Sequence, residues 1–259
     1  MRLSHISPLK VREYLQTNDM ILIPLGSLEN HGHHMPLGTD TLIPEKIIEL
    51  LEERIAPEEL MIAPALPYGS TDYLESYPGS ISLGDELLKK VLERICLALY
   101  EDGFRKFIIL NGHGGNNGPI DSVSLILHKK GARCLCLNWW KMVGELNPAW
   151  AGGHGGGEET AAILAVDPAL VDQGHIHEGQ QLINDYGEAL PTSGFQTLSF
   201  RGATIRAARP TASHSGNGWV GPDAPDTATI EWGEAMLSAM ADYIRDLLPL
   251  VNGLPPFEF

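Results

Sequence analysis

The sequence predicts an α/β fold with a mostly parallel sheet covered by helices on both faces. Three observations carry this reading: short continuous apolar runs of strand length, segments of helical spacing between them, and polar glycine-rich stretches directly after the runs.

Pro8 to Gln16 opens the chain with a short helical segment. Met20 to Leu25 (MILIPL) is short, continuous and apolar, as a strand buried on both faces must be, and it runs into Gly26-Ser-Leu-Glu-Asn-His-Gly-His-His. Ile43, Ile47, Ile48, Leu50 and Leu51 then recur at near-helical spacing, with Thr39, Asp40 or Thr41 as alternative caps. Leu60 to Leu66 reads as a second strand. Pro67 to Gly79 is a loop too long and too polar for a plain turn. Asp85 to Asp102 is an amphipathic helix closed by Gly103, with Asp85 and Glu86 at the positive end of its dipole.

Phe107 to Leu110 is the third strand, leading into Asn111-Gly-His-Gly-Gly-Asn-Asn-Gly. A helix from Pro119 to Lys130 ends at Gly131, and Ala132 to Leu137 is the fourth strand, followed by Asn138-Trp-Trp. Asn147 to Gly157 is glycine-rich, and Glu158 to Val166 resumes helical composition. Gly179 to Ala207 reads as loops with an antiparallel extension, Thr211 to Thr227 as a long loop, and Thr229 to Leu248 as the closing helix. The strand, loop, helix alternation is the βαβ pattern, so the loops after the strands converge at one edge. With no internal repeat, low-complexity run or linker, one domain over residues 1–259 is expected.

The 259 residues are 43% hydrophobic and 20% charged, which supports a packed core and argues against disorder. The longest apolar stretch, Met20 to Leu25, falls far short of the roughly 18 residues that a membrane span needs. A net charge of −15 repels phosphate backbones and anionic membrane surfaces, so neither nucleic acid nor a membrane is an expected partner. The N-terminus has no apolar export segment, and a cytoplasmic location is the default expectation. Cys96, Cys134 and Cys136 are an odd number for a disulfide framework, and reduced core positions are expected for all three.

Three polar clusters fall where ligands bind in such sheets, outside the carboxyl ends of the strands. They are Glu29-Asn-His31-Gly-His33-His34 with Asp40, His113 within Asn111 to Asn116, and His154-Gly-Gly-Gly-Glu158-Glu159. In an extended segment residues two apart point the same way, so Glu29, His31 and His33 are expected to share a face. Carboxylate and imidazole offered to one point suit Zn²⁺, Mn²⁺ or Fe²⁺.

These motifs, with Glu-Thr after Glu158, resemble the creatininase family (creatinine amidohydrolases and relatives), over roughly residues 5 to 245. The resemblance implies a binuclear metal site on a three-layer α/β/α fold, in a homo-oligomer that is often a hexamer. It implies hydrolysis of a compact polar small molecule: creatinine, a formylamino-pyrimidine, a peptide precursor of a redox cofactor, or a keto-inositol. Glu29 and His113 would hold one divalent ion and His31 the other, with Asp40 bridging; a carboxylate can span ions roughly 3.5 Å apart. His154 would exchange protons at the reacting centre.

One departure matters. Creatininase itself carries a metal-binding glutamate where this chain has Gly115, so Glu159, with Glu158 as the adjacent alternative, becomes the expected completing ligand of the second site. A carboxylate introduced at residue 115 is expected to restore occupancy lost at Glu159. Trp140 and Trp150 match aromatic positions around the ligand, and Tyr73 is a further substrate-wall candidate, with Tyr68, Tyr77, Trp219 and His214 behind it. The leading reaction is opening of a C–N bond in a small cyclic amide. The alternatives are C–C cleavage of a keto-inositol and a non-catalytic metal or ring binder.

Overall fold

The computed structural model describes residues 1–255; residues 256–259, included in the expected domain, lie outside them. In chain order come α1 (Pro8–Tyr14), β1 (Met20–Leu25), α2 (Thr39–Glu52), β2 (Met61–Ile62), α3 (Gly84–Asp102), β3 (Lys106–Asn111), α4 (Asn117–Lys129) and β4 (Arg133–Asn138). They are followed by α5 (Trp139–Leu146), α6 (Gly157–Val166), β5 (Thr192–Gly194), β6 (Thr197–Phe200), β7 (Ala203–Arg206) and α7 (Ile230–Asn252).

Four strands form a parallel sheet in the order β2-β1-β3-β4. Their register aligns Leu25, Asn111 and Asn138 at the carboxyl edge. Side chains alternate between the faces along each strand. Leu22, Ile108 and Leu110 pack with α2, α5, α6 and α7, whereas Ile21, Ile23, Phe107 and Ile109 pack with α1, α3 and α4. The result is the three-layer α/β/α arrangement that the sequence predicts. Truncating Ile109 or Leu110, both fully buried, to Ala costs about 2–5 kcal/mol by opening a cavity in one core or the other.

Three elements differ from expectation. Only Met61 and Ile62 pair as a strand, because Pro64 has no N–H to give; Leu66 rejoins β1 beyond it through an isolated bridge to Leu25. The segment after β4, to which the sequence pattern assigned no element, is helical, with the fully buried Trp139 and Val143 four apart on one face of α5. Helix α7 runs past Leu248 to Asn252, accommodating Pro249 in its last turn. The antiparallel extension within 179–207 is a separate sheet in the order β5-β6-β7. The three cysteines are free thiols, Cys96 buried and the others half-buried. No helix among the described residues is long and apolar enough to cross a membrane.

Candidate metal centre

The candidate donors come from loops at the carboxyl edge of the parallel sheet and from two helix starts. After β1, Ser27 Oγ donates to Glu29 Oε2 at 3.0 Å and fixes the carboxylate. Gly32, at φ +95°, then ends the extended alternation, so His33 does not share a face with Glu29 and His31. It turns outward to Glu178, 2.7 Å away. Asp40 is not a helix cap: Gly38 holds that position in α2, and the Asp40 side chain is buried in the first turn.

Close approach brings the second cluster to the first. A Cβ on Gly112 would lie 1.8 Å from the Asp40 carbonyl oxygen, so only glycine lets the loop after β3 cross the start of α2. Asn116 ties three loops together: its Nδ2 donates to the carbonyl of Gly26 and to Asn111 Oδ1, and its Oδ1 accepts from the amide of Ser70. The sequence reading quoted both asparagines within the motif without giving them this positioning work.

Hydrogen bonds to backbone carbonyls orient both histidine rings. His113 Nε2 donates to Ser70 O at 2.9 Å, and His31 Nδ1 donates to Glu29 O at 3.1 Å. The opposite nitrogens face carboxylates. His113 Nδ1 lies 3.1 Å from Glu29 Oε1 and 3.3 Å from Asp40 Oδ2. His31 Nε2 lies 3.0 Å from Asp40 Oδ1 and 3.7 Å from Glu159 Oε2. Two donor sets capable of holding a metal ion follow, Glu29-Asp40-His113 and His31-Asp40-Glu159, sharing Asp40; a third joins Glu29, His31 and His154. Glu29 Oε1 and Asp40 Oδ2 are buried without a hydrogen bond, since His113 Nδ1 is near both and aligned with neither. Buried carboxylate oxygens left without an aligned donor suit cations better than protons.

The electrostatics agree. Burial opposes charge on His31, but Asp40, Glu159 and Glu29 outweigh it and hold its pKa at about 10. His113 is raised well above its ordinary value in the same way, against burial, by Glu29 and Asp40. Burial also opposes ionisation of Glu29 and Asp40, and the two imidazoles overcome it, holding both carboxyls below their usual range. Burial pushes Glu159 up to about 7, partly countered by His31. Glu158 is pushed up to about 9 by burial, Glu159 and Asp223, and stands in none of the donor sets.

A cavity of about 530 Å³ opens over these groups, lined by Glu29, Asp40, His113, His154 and Glu159. His154 Nδ1 lies 3.7 Å from Glu29 Oε1, and its Nε2 is buried without a partner. Its ring packs 4.5 Å from that of His31 and 5.3 Å from that of Phe195. Burial first, then His31, lowers its pKa to about 4. Trp140 and Tyr73 line the cavity; Trp150 does not, and packs half-buried against the core instead. Tyr68, Tyr77, Trp219 and His214 also lie outside the lining, with Tyr77 spent on a hydrogen bond to Ser215 O.

Gly115 has no room for a side chain. Its Cβ would lie 2.0 Å from Ser70 O and 2.5 Å from His113 Nε2, so a carboxylate placed there cannot restore a metal ligand as expected. The sequence reading missed Phe195, Gln196, Thr197 and Arg206 as cavity residues. They belong to the antiparallel extension, whose weak periodicity gives no signal of a site.

Fold and donors together define a three-layer α/β protein with a candidate metal centre at the carboxyl ends of its strands. A family model described as creatinine amidohydrolase matches residues 4–248, and the chain belongs to the creatininase family. It is 33% identical over 174 residues to the mycofactocin precursor peptide peptidase of Mycobacterium tuberculosis, covering 60% of this chain and 61% of that one. It is 30% identical over 175 residues to the creatinine amidohydrolase of Pseudomonas putida, covering 59% of this chain and 66% of that one. These alignments thus span less than two thirds of either relative. The crystal structure of a creatinine amidohydrolase (creatininase) superposes with a TM-score of 0.76 at 24% identity, over 98% of both chains, which establishes the shared fold.

Proposed function

We propose that this chain is a metal-dependent hydrolase that opens an amide C–N bond of a compact polar substrate, with creatinine-like rings as the first class to test. The observation that carries the reading is Asp40, whose two oxygens face different histidine nitrogens in two adjoining donor sets. Glu29 and His113 would hold one ion with Asp40, and His31 and Glu159 with Asp40 the second. The donor chemistry, imidazole with carboxylate, suits zinc, manganese or iron. Two such ions supply, when bound, a water of lowered pKa and polarisation of the substrate carbonyl.

The chain's own residues do the rest. His154, which lines the cavity and whose buried Nε2 has no hydrogen-bond partner, takes and returns the proton that passes to the leaving nitrogen. Trp140, Tyr73 and Phe195 give flat apolar walls that exclude water from one side of the substrate. The hydrolase names of the two relatives support the reaction class, and the cavity's size supports a small substrate. The homo-oligomer is proposed on the family resemblance, with light scattering as its test.

The test is metal analysis of the purified protein combined with turnover of creatinine, formylamino-pyrimidines and keto-inositols before and after chelation. About two ions per chain and chelator-sensitive amide hydrolysis are expected. Turnover of the ketone alone would replace the C–N assignment by C–C cleavage. Metal-independent hydrolysis would overturn the reading.

A further inference from the structure

The outer wall of the cavity carries a single cation. Arg206, the last residue of β7, is the only Lys or Arg among the cavity's lining residues, which include four carboxylates. Its guanidinium has no ion pair or hydrogen bond among the described residues. The neighbouring arginines are engaged: Arg209 pairs with Asp185 at 2.9 Å, and Arg201 lies over the Phe200 ring. Arg206 is exposed to solvent where it lines the cavity, so its guanidinium is open to an anion entering there.

The wall that carries it is well braced. Arg206 stands opposite Thr197 in the β6–β7 ladder, and Thr197 also lines the cavity. Between β5 and β6, Gln196 is held at φ +56° by its own side chain, which donates to Arg209 O at 2.7 Å and accepts from Arg209 N at 2.6 Å. Ala207 N donates to Gln196 O at 2.8 Å, joining that turn to the residue after Arg206. Phe195, beside it, packs against the rings of both Tyr73 and His154. The cation therefore stands on the same small sheet whose β5–β6 turn carries Phe195 against His154.

We infer that the substrate bears an anionic group, a carboxylate or a phosphate, that Arg206 receives at the outer wall while the scissile bond lies over the metal-binding donors. The inference rests on the hydrolase reading above and deepens it by naming a substrate class. Divalent ions at the centre would offset Glu29, Asp40 and Glu159, and no carboxylate lies within ion-pair distance of Arg206 among the described residues. A guanidinium matches either anion with paired N–H donors.

Binding, rather than turnover, tests this. N-methanesulfonyl derivatives of glycine, β-alanine and γ-aminobutyrate, each paired with its neutral amide, resist hydrolysis and vary the distance from amide to anion. N-methanesulfonyl-ethanolamine phosphate and its neutral alcohol form the phosphate arm. Titration calorimetry on zinc-loaded protein should find one anion bound roughly tenfold more tightly than its neutral partner, and the stronger arm identifies carboxylate or phosphate. Arg206→Gln should abolish that preference with the neutral ligand and the metal content unchanged, and Arg206→Lys should restore part of it. An equal response to anion and neutral partner throughout the series, absence of binding included, overturns the inference. So does a preference that survives Arg206→Gln. Metal content and hydrolysis are read separately, so failure of the hydrolase reading is distinguishable from failure at Arg206.

Discussion

His31 Nε2 and Asp40 Oδ1 lie 3.0 Å apart, joining the loop after β1 to the first turn of α2. The second Asp40 oxygen is left to the His113 set, so one carboxylate serves both halves of the centre. Asp40→Asn keeps the volume and removes the charge. Metal content, read by elemental analysis after dialysis, is expected to fall from about two ions per chain to nearly none. Full retention of metal would remove Asp40 from the centre.

Glu159 is confined to the His31 half. Glu159→Gln is expected to weaken one ion selectively while the ion at Glu29, Asp40 and His113 stays, as anomalous diffraction would reveal. Glu158→Gln is the control and should leave both. Loss of an ion in the control instead would transfer the role to Glu158.

His154→Ala should retain metal and lose about 10²–10⁴ in kcat, the range of a general acid or base. His154 lines the cavity and is assigned proton transfer rather than substrate binding, so the loss belongs in kcat more than in KM. Loss of metal would make His154 a ligand.

Gly115→Ala is expected to destabilise the protein by about 1–3 kcal/mol, because its Cβ meets the Ser70 carbonyl and His113 Nε2 at the hydrogen bond that orients the ring. Urea denaturation reads the stability. For the same reason Gly115→Glu in a Glu159→Gln background should fail to recover the lost ion.

Legibility in the sequence followed the locality of the physics. The strands β1, β3 and β4 are continuous apolar runs, and their loops carry the histidines and carboxylates that the structure brings together, so pattern alone located Glu29, His31, Asp40, His113, His154 and Glu159 near one edge. His33 escaped because one left-handed glycine reverses the alternation on which its placement rested. Trp150 and Tyr77 escaped because an aromatic in a long loop packs wherever apolar surface is nearest. Phe195 and Arg206 reach the cavity through tertiary folding of a weakly patterned extension, which no local signal encodes. The crowding at Gly112 and Gly115 is likewise set by chain crossings between residues far apart in sequence.

The last prediction concerns pH and His34. Its Nε2 donates to Thr160 Oγ1, whose own proton goes to Gly156 O, so this bond fixes a proton on Nε2. Burial, reinforced by His31, lowers its pKa to about 4. An unfolded histidine has a pKa of about 6.5. Between these values the unfolded chain takes up a proton that the folded chain refuses, so stability is lost as pH falls from about 6.5 toward 4. With screening at a partly hydrated site, the loss from this group is about 2 kcal/mol. Glutamine at residue 34 keeps a donor for Thr160 but has no proton to gain. Urea denaturation of metal-free wild type and His34→Gln at neutral and mildly acid pH should therefore give stabilities that converge as the pH falls, the other titrating groups cancelling in the comparison. A difference between the two proteins that stays constant with pH would show that His34 is protonated as easily in the fold as out of it.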